Sequence, residues 1–312
     1  MGNKKYFITS DIHSFYTPLK KALKQAGFKK TDPNRILIIA GDLFDRGAET
    51  LKVYKYLKSI PKSRLILLRG NHEELFEEVL NKQFPRDYDF SNGTVLTCCD
   101  IAGVDIDDLN FYKVAFELFP DDTLWQTDWE VVTNQTNAKR AEIWGNIVKK
   151  VKESDFYRWF KTVPWKHYYE LGSFIITHSF IPLHQSSPDA LYHTITADLK
   201  TFTDWRTQAT ETDLNDSHWG CPYKLMDAGF FDEELKNGKT LICGHWHAVS
   251  GHVQYGTEGY THANDIYYSS NLIMLDACTV VSDQVNVLVV DKNGDCYDRY
   301  KRKLEGVFCK YE

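Results

Sequence analysis

The chain lacks three things that would each point to a partner. It has no excess of basic charge, since 37 Lys and Arg stand against 43 Asp and Glu for a net charge of −6 and a pI near 6.0. That excludes a broad nucleic-acid-binding face and leaves room only for a local groove. It has no CxxC pair, and its seven cysteines, at 98, 99, 221, 243, 278, 296 and 309, are odd in number. A disulfide framework is therefore not expected, buried free thiols are, and a reducing, cytoplasmic setting is the simplest one. Finally, no apolar run approaches the ~20 residues that cross a bilayer, so no membrane partner is expected. The opening Met1–Ser10 stretch runs directly into a strand pattern and carries no expected signal peptide. Repeats and low-complexity tracts are missing as well.

The 312 residues are 43% apolar and 26% charged, the balance of an ordinary globular protein. That length suits one large core, or one core with a sizeable insertion. Lys5–Ser10 predicts a first strand, with Asp11 and His13 at its exit. Thr17 and Pro18 predict an N-cap and first helical position, Leu19, Ala22, Leu23 and Ala26 continue at helical spacing, and Gly27 predicts the stop. Ile36–Ala40 predicts a second strand, bounded by Gly41. Leu51, Tyr54 and Leu57 predict a helix ending near Pro61. Arg64–Arg69 predicts a third strand, followed by a helix from Glu73 to about Lys82 whose early glutamates suit the positive end of the helix dipole.

The first 82 residues thus read β-α-β-α-β-α with parallel strands. Between about 85 and 165 the pattern becomes helical, with Ile143, Ile147 and Val151 at helical spacing, and predicts an insertion or cap. Strand patterns resume before His178, before Gly244, and at Leu272–Leu275 and Val285–Val290, in the quick succession of a mixed sheet. Residues 179–239 read as mostly irregular. The expected fold is α/β (α+β), with two mixed β-sheets packed as a sandwich flanked by helices. A single domain over 1–312 carries the helical insertion over approximately 85–165.

Five clusters share one context, a short apolar strand that ends in Asp, Asn or His. They are Asp11/His13, Asp42/Asp45/Arg46, Asn71/His72, His178 and His245/His247. In extended backbone, side chains at i and i+2 point the same way, so the D-x-H and H-x-H spacings can each reach one ion. Two carboxylates and a guanidinium at the tip of the second strand are expensive to bury unless counter-charges meet them. Together the clusters offer two Asp, one Asn and four His, a mixed N/O set suited to borderline divalent metals. Two near-octahedral ions would need roughly eight protein contacts, which seven side chains supply if Asp42 bridges; such a pair would clamp a phosphoryl group.

These motifs (Asp11-x-His13, Gly41-Asp42-x-x-Asp45-Arg46-Gly47, Gly70-Asn71-His72-Glu73, His178 and Gly244-His245-x-His247) resemble the calcineurin-like metallophosphoesterase superfamily. The second and third resemble its phosphoprotein phosphatase branch, which includes serine/threonine protein phosphatases and symmetrical diadenosine tetraphosphate hydrolases. The resemblance implies one metal held by Asp11, His13, Asp42 and His247, and a second by Asp42, Asn71, His178 and His245. Manganese is the expected ion in vitro, and iron or zinc suit the same donors. It also implies direct attack of a metal-bridging hydroxide on a phosphate monoester, with His72 as general acid oriented by Asp45. Arg46 and Asn71 would meet the phosphate, with Arg206 of Asp204-Trp205-Arg206 as a second arginine. The substrate would be a phosphoprotein or, alternatively, a nucleotide. A non-catalytic scaffold would be expected to have lost ligands, and all seven stand here. Two departures concern the substrate. His178-Ser179-Phe180 replaces the H-G-G or H-A-G of protein phosphatases, and G-H-x-H replaces their usual last motif.

The remaining candidates read as structural. His167, His184, His193, His218, His252 and His262 are expected at the surface or in support, with His184 and His193 near the entry. Trp205, Trp219 and Trp246 are expected in the core or the pocket wall. Tyr267-Tyr268 is expected as chance adjacency, and Lys20, Lys21, Lys24, Lys29 and Lys30 as a solvated face.

Overall fold

A computed structural model describes residues 4–121, 123–256 and 263–311. Among these, the strands in chain order are β1 (Lys5–Thr9), β2 (Arg35–Ala40), β3 (Leu65–Leu68), β4 (Tyr168–Leu171), β5 (Phe174–Thr177), β6 (His184–Gln185), β7 (Leu199–Lys200), β8 (Thr240–Cys243), β9 (Tyr267–Tyr268), β10 (Leu272–Met274), β11 (Leu288–Val290), β12 (Asp295–Tyr297) and β13 (Lys303–Phe308). One sheet runs β13-β12-β11-β1-β2-β3 and a second runs β4-β5-β8-β10-β9, with β6-β7 a separate ribbon. Strands β1, β2 and β3 are parallel neighbours, as are β5, β8 and β10, and antiparallel strands close the edges of both sheets. This is the expected mixed sandwich.

The period-2 alternation of the central strands explains why both faces are apolar. Ile8, Ile36, Ile38 and Leu68 turn toward Phe174, Ile176, Ile242 and Ile273 of the second sheet. Phe7, Leu37 and Ile39 turn the other way, onto helices. Those helices are α1 (Tyr16–Ala26), α2 (Thr50–Lys58), α3 (Asn71–Val79), α4 (Asp87–Ser91), α5 (Thr94–Ala102), α6 (Phe111–Leu118), α7 (Thr123–Gln126), α8 (Trp129–Glu153) and α9 (Asp155–Thr162). The described residues of 87–162 are thus mostly helical, and Val95, Cys98, Trp144, Ile147, Val151, Phe156 and Phe160 seat them on the first sheet. The outer face of the second sheet is covered by residues 180–235, through Phe180, Leu183, Leu191, Leu225 and Phe231.

Local departures from the expected elements have local causes. Helix α1 starts at Tyr16, and Pro18 is its third residue, because Glu49 accepts both the Thr17 N–H (2.9 Å) and the Thr17 hydroxyl (3.0 Å) from outside the helix. Helix α3 starts two residues early because the Glu73 carboxylate reaches back to the Gly70 N–H (2.8 Å). The expected strand over 285–290 keeps only its last three residues, since Thr9 Oγ1 donates to the Asn286 carbonyl at 2.7 Å in place of a ladder bond. Residues 179–239 are not irregular; they hold the β6-β7 ribbon and five short helices, the first being α10 (Ala190–His193). Four- to six-residue helices are too short to show a 3.6 period. His262 lies outside the described residues.

Candidate metal centre

Six parallel strands, three from each sheet, point their carboxyl ends at one spot, where open α/β sheets place their ligands. Asp11 and His13 follow β1, Asp42 follows β2, Asn71 and His72 follow β3, His178 follows β5, and His245 and His247 follow β8. Reaching that spot strains the backbone. Asp11, His13, Ser14, Asp42, Asp45, Arg46 and His245 all take positive φ between 47° and 72°. Each such non-glycine residue costs on the order of 1–3 kcal/mol, and such strain clusters at functional sites.

Asp42 is at the centre and nearly fully buried. Its Oδ1 lies 3.3 Å from His178 Nε2, and its Oδ2 lies 3.6 Å from His13 Nε2 and 3.9 Å from His72 Nε2. Two groups with converging ligand atoms result, His13/Asp42/His72 and Asp42/His178/His245. Asn71 Oδ1 joins the second, 2.9 Å from His178 Nε2.

The proton inventory tests whether cations fit. His178 Nδ1 is 2.8 Å from the Ala40 carbonyl, which can only accept, so in the neutral ring Nε2 carries a lone pair. That lone pair faces two more acceptors, Asn71 Oδ1 and Asp42 Oδ1. His13 repeats the pattern: Nδ1 donates to the Phe44 carbonyl at 3.1 Å, which turns the Nε2 lone pair toward Asp42 Oδ2. Burial holds His13 well below the ordinary histidine range, so its ring is neutral. Lone pairs that converge without a proton between them suit a cation, and the backbone carbonyls fix each ring as outer partners of metal-binding histidines do. Burial pushes the Asp42 carboxyl well above its usual range, with Asp11 second, and pushes Asp11 up too. A dication offsets that cost.

Two expected ligands stand further out. Both Asp11 oxygens accept the His245 backbone N–H, at 3.1 and 3.0 Å. The approach is so close that a Cβ on Gly244 would lie 2.0 Å from Asp11 Oδ2. His247 is half-exposed, with Nε2 3.6 Å from Asp276 Oδ2.

Beside this cluster sits a separate proton-handling group. Asp45 Oδ2 is 2.8 Å from His72 Nδ1 and accepts the Thr94 hydroxyl at 2.8 Å. His72 Nε2 then faces Arg46 Nη2 at 3.2 Å, on the exposed side. Burial first, and the Arg46 charge second, hold His72 well below its ordinary value. Burial raises Asp45 to about 7 against the pull of the Thr97 and Thr94 hydroxyls.

Residues 4–272 match the family described as calcineurin-like phosphoesterase. The chain belongs to that family. Among curated proteins, this calcineurin-like phosphoesterase is similar to symmetrical bis(5'-nucleosyl)-tetraphosphatases. It is 47% identical over 68 residues to that of Buchnera aphidicola subsp. Schizaphis graminum, covering 22% of this chain and 23% of that protein. To the one from Photorhabdus laumondii it is 36% identical over 67 residues, with the same coverage. The matched stretch spans about a quarter of the length of these curated relatives. Solved structures include a serine/threonine phosphatase of Saccharomyces cerevisiae, at 11% identity and TM-score 0.47 over 93% of this chain and 74% of that one. A cold-active protein tyrosine phosphatase of a Shewanella species matches at 13% and TM-score 0.46, over 97% and 80%.

The phosphoesterase centre gathers the motif residues but not Arg206. Its guanidinium is taken up by Glu170 and Glu234 and lies over the Trp205 ring at 4.3 Å. Glu170 pairs with Ile175, at the end of β5 remote from His178. Arg206, expected as a second phosphate-binding arginine, is held by two glutamates apart from the motif residues in this structure.

Several supporting residues were not expected. Glu73 accepts three backbone N–H groups, from Asp42 (3.0 Å), Leu43 (2.9 Å) and Gly70 (2.8 Å), and so locks the tips of β2 and β3 together. Its place in the GNHE motif was the available signal. Thr94 and Thr97 hold Asp45 from α5, and Asp276 follows β10 beside His247. His218, read as structural, is buried between Glu74 (2.5 Å) and His167 (3.3 Å). No helix among the described residues is long and apolar enough to cross a membrane.

Proposed function

We propose that the chain is a metal-dependent hydrolase of phosphate monoesters that transfers the phosphoryl group directly to water. The observation that carries this reading is the placement of His72 between Asp45 and Arg46, within 3.9 Å of Asp42. Divalent cations held by Asp11, His13, Asp42, Asn71, His178, His245 and His247 would supply Lewis-acid charge and a water of lowered pKa.

The chain's own groups do the rest. Arg46 is exposed and presents a planar fork to the equatorial oxygens of the phosphate. Asp45 accepts the hydrogen bond of the His72 Nδ1–H and turns Nε2 toward the leaving oxygen. A phosphate dianion that draws Arg46 away from Nε2 relieves the charge that opposes protonation of the ring. His72 can then carry a proton on Nε2 and deliver it to the leaving alkoxide, so that an alcohol departs. No aspartyl or cysteinyl nucleophile is needed. Burial pushes the thiols of Cys98 and Cys243 well up, which leaves them poor nucleophiles.

Two substrate classes follow. The G-D-x-x-D-R-G and G-N-H-E motifs support a serine/threonine protein phosphatase. The stretch similar to bis(5'-nucleosyl)-tetraphosphatases supports a nucleotide phosphoesterase as the second reading. Purified, Mn²⁺-loaded protein assayed on phosphoserine and phosphothreonine peptides and on diadenosine tetraphosphate separates the two. A strong preference for the dinucleotide sinks the protein phosphatase reading, and failure on every phosphoester sinks the hydrolase itself.

A further inference from the structure

A line of aromatic rings leads out of the centre. The His178 ring lies 5.1 Å from His245, His245 lies 5.7 Å from Trp219, and Trp219 lies 5.5 Å from Tyr192, each pair edge to face. The line starts fully buried at His178 and ends at Tyr192, which is 52% exposed.

The outer two rings are fixed rather than hung on loose loops. Tyr192 belongs to α10, where Ala190 and Leu191 are buried and left-handed residues, Asp189 and Thr194, bound the turn. The Leu191 N–H donates to Gln185 Oε1 at 2.8 Å. Next to Trp219, Gly220 packs so tightly on Leu191 that a Cβ would lie 2.3 Å from Leu191 Cδ2. The Trp219 loop is also tied to the centre. The Phe180 N–H donates to the Ser217 carbonyl at 3.1 Å, and the Ser179 hydroxyl donates to the Gly220 carbonyl. Ser179 and Phe180 are the two residues after His178, where this chain departs from the protein phosphatase motif. The Ser179 hydroxyl, which belongs to that departure, thus ties the Trp219–Gly220 loop beside a candidate metal ligand.

We infer that Tyr192 and Trp219 form a stacking shelf for a nucleobase whose phosphate lies at Arg46 and His72. This deepens the second reading of the proposed function and rests on it. Aromatic faces stack bases with little regard to sequence, through surfaces every base offers. The shelf stands one and two rings beyond His245, so it suits a planar group set apart from the phosphate by a sugar. A phosphotyrosyl ring is bonded directly to the phosphate oxygen and has no sugar to carry it out to the shelf. A phosphoserine side chain offers no ring at all.

The test compares two ligands that share sugar and phosphate, adenosine 5'-monophosphate and ribose 5-phosphate. Their binding to the full-length protein is measured by calorimetry, and hydrolysis of diadenosine tetraphosphate is measured against β-glycerophosphate. The wild type is expected to bind the base-bearing ligand on the order of 10- to 100-fold tighter. Tyr192→Ala and Trp219→Ala should cut that preference, and the corresponding kcat/KM ratio, at least about tenfold, while Trp219→Phe keeps most of it. Trp125→Ala, on the remote α7, should change neither. Equal binding of the two ligands by the wild type overturns the shelf. So does a loss shared equally by both ligands in the variants, or a preference for a phosphotyrosyl peptide over the nucleotide. If Trp219→Ala does not fold, the half-exposed Tyr192→Ala decides. Because the binding comparison needs no turnover, it stands even if no phosphoester is hydrolysed.

Discussion

The two sheets contribute unlike halves to the centre. From the first, His13, Asp42, Asp45, Asn71 and His72 are all buried; His13, Asp42, Asp45 and His72 are each gripped by a neighbour from the same end of the chain, and Asn71 reaches across to His178. Glu73 alone ties three N–H groups there. From the second come His178, His245 and His247, one or two per strand, and the last is half-exposed. His178 leans on the Ala40 carbonyl and His245 on the Asp11 carboxylate, both from the first sheet, while His247 faces Asp276. The first half is buried and holds the proposed proton-handling group, while the second reaches toward the surface at His247.

Asp42 belongs to both halves, so its change should produce the largest effect. In Asp42→Asn one oxygen becomes an amide that can only donate, against either the His13 or the His178 side. Turnover of p-nitrophenyl phosphate should fall by about 10³-fold or more, the several kcal/mol that a metal centre supplies to the transition state. Metal content by mass spectrometry should fall with it. A variant that keeps the wild-type metal content refutes the shared role of this carboxylate.

His72 belongs to the first half alone. His72→Asn should leave metal content near normal and lower kcat on alkyl phosphates by about 10²–10³-fold, the scale of lost general-acid catalysis. On p-nitrophenyl phosphate, whose leaving group needs no proton, the loss should be far smaller. Equal losses on both substrates would assign His72 to the metals, as its place in the His13/Asp42 group permits.

What could be read from the chain before folding cuts across that division, since His178, His245 and His247 also follow apolar runs. Asp11, Asp42, Asn71 and His72 were legible because each follows an apolar run that predicts a strand, and parallel strands share one carboxyl end. Glu73 sat in view but read as a charge suited to a helix start; that it caps three N–H groups depends on the tips of β2 and β3 being adjacent. Thr94, Thr97, Asp276 and the Tyr192–Trp219 pair leave no local pattern, because short capped helices and tertiary contacts place them. Pro18 was displaced from its expected position by Glu49, over thirty residues away in sequence. Pattern reaches as far as neighbours along the chain, and the groups that brace the ligands in both halves are neighbours in space.

Asp45 offers a pH test of the buried half. Burial raises its carboxyl from the ordinary 3.8 to about 7 in the folded protein. An acid raised on folding favours the folded state while protonated. Its contribution is therefore complete below 3.8 and is lost as pH rises through about 7. In chelator-treated protein, urea unfolding between those limits should show stability falling by about 1.4 kcal/mol per pH unit from this group. Asp45→Asn should flatten that slope by one proton. An unchanged slope would mean that the carboxyl titrates at its ordinary value.

Arg206 should give the smallest effect, and on the other side of the comparison. It hangs from the second sheet, and its guanidinium is occupied by Glu170 and Glu234. Arg206→Ala therefore removes two partly buried ion pairs and a stack on Trp205, and leaves Glu234 with the Trp205 indole N–H at 2.8 Å. Stability should drop by about 1–2 kcal/mol, read as a lower urea midpoint. Activity should stay within about twofold in kcat/KM on p-nitrophenyl phosphate, because no transition-state contact is lost. A fall of two orders of magnitude with an unchanged midpoint would mean the reverse: that substrate binding pulls Arg206 off its glutamates and onto the phosphate. The second sheet would then offer a phosphate ligand beside its candidate metal ligands.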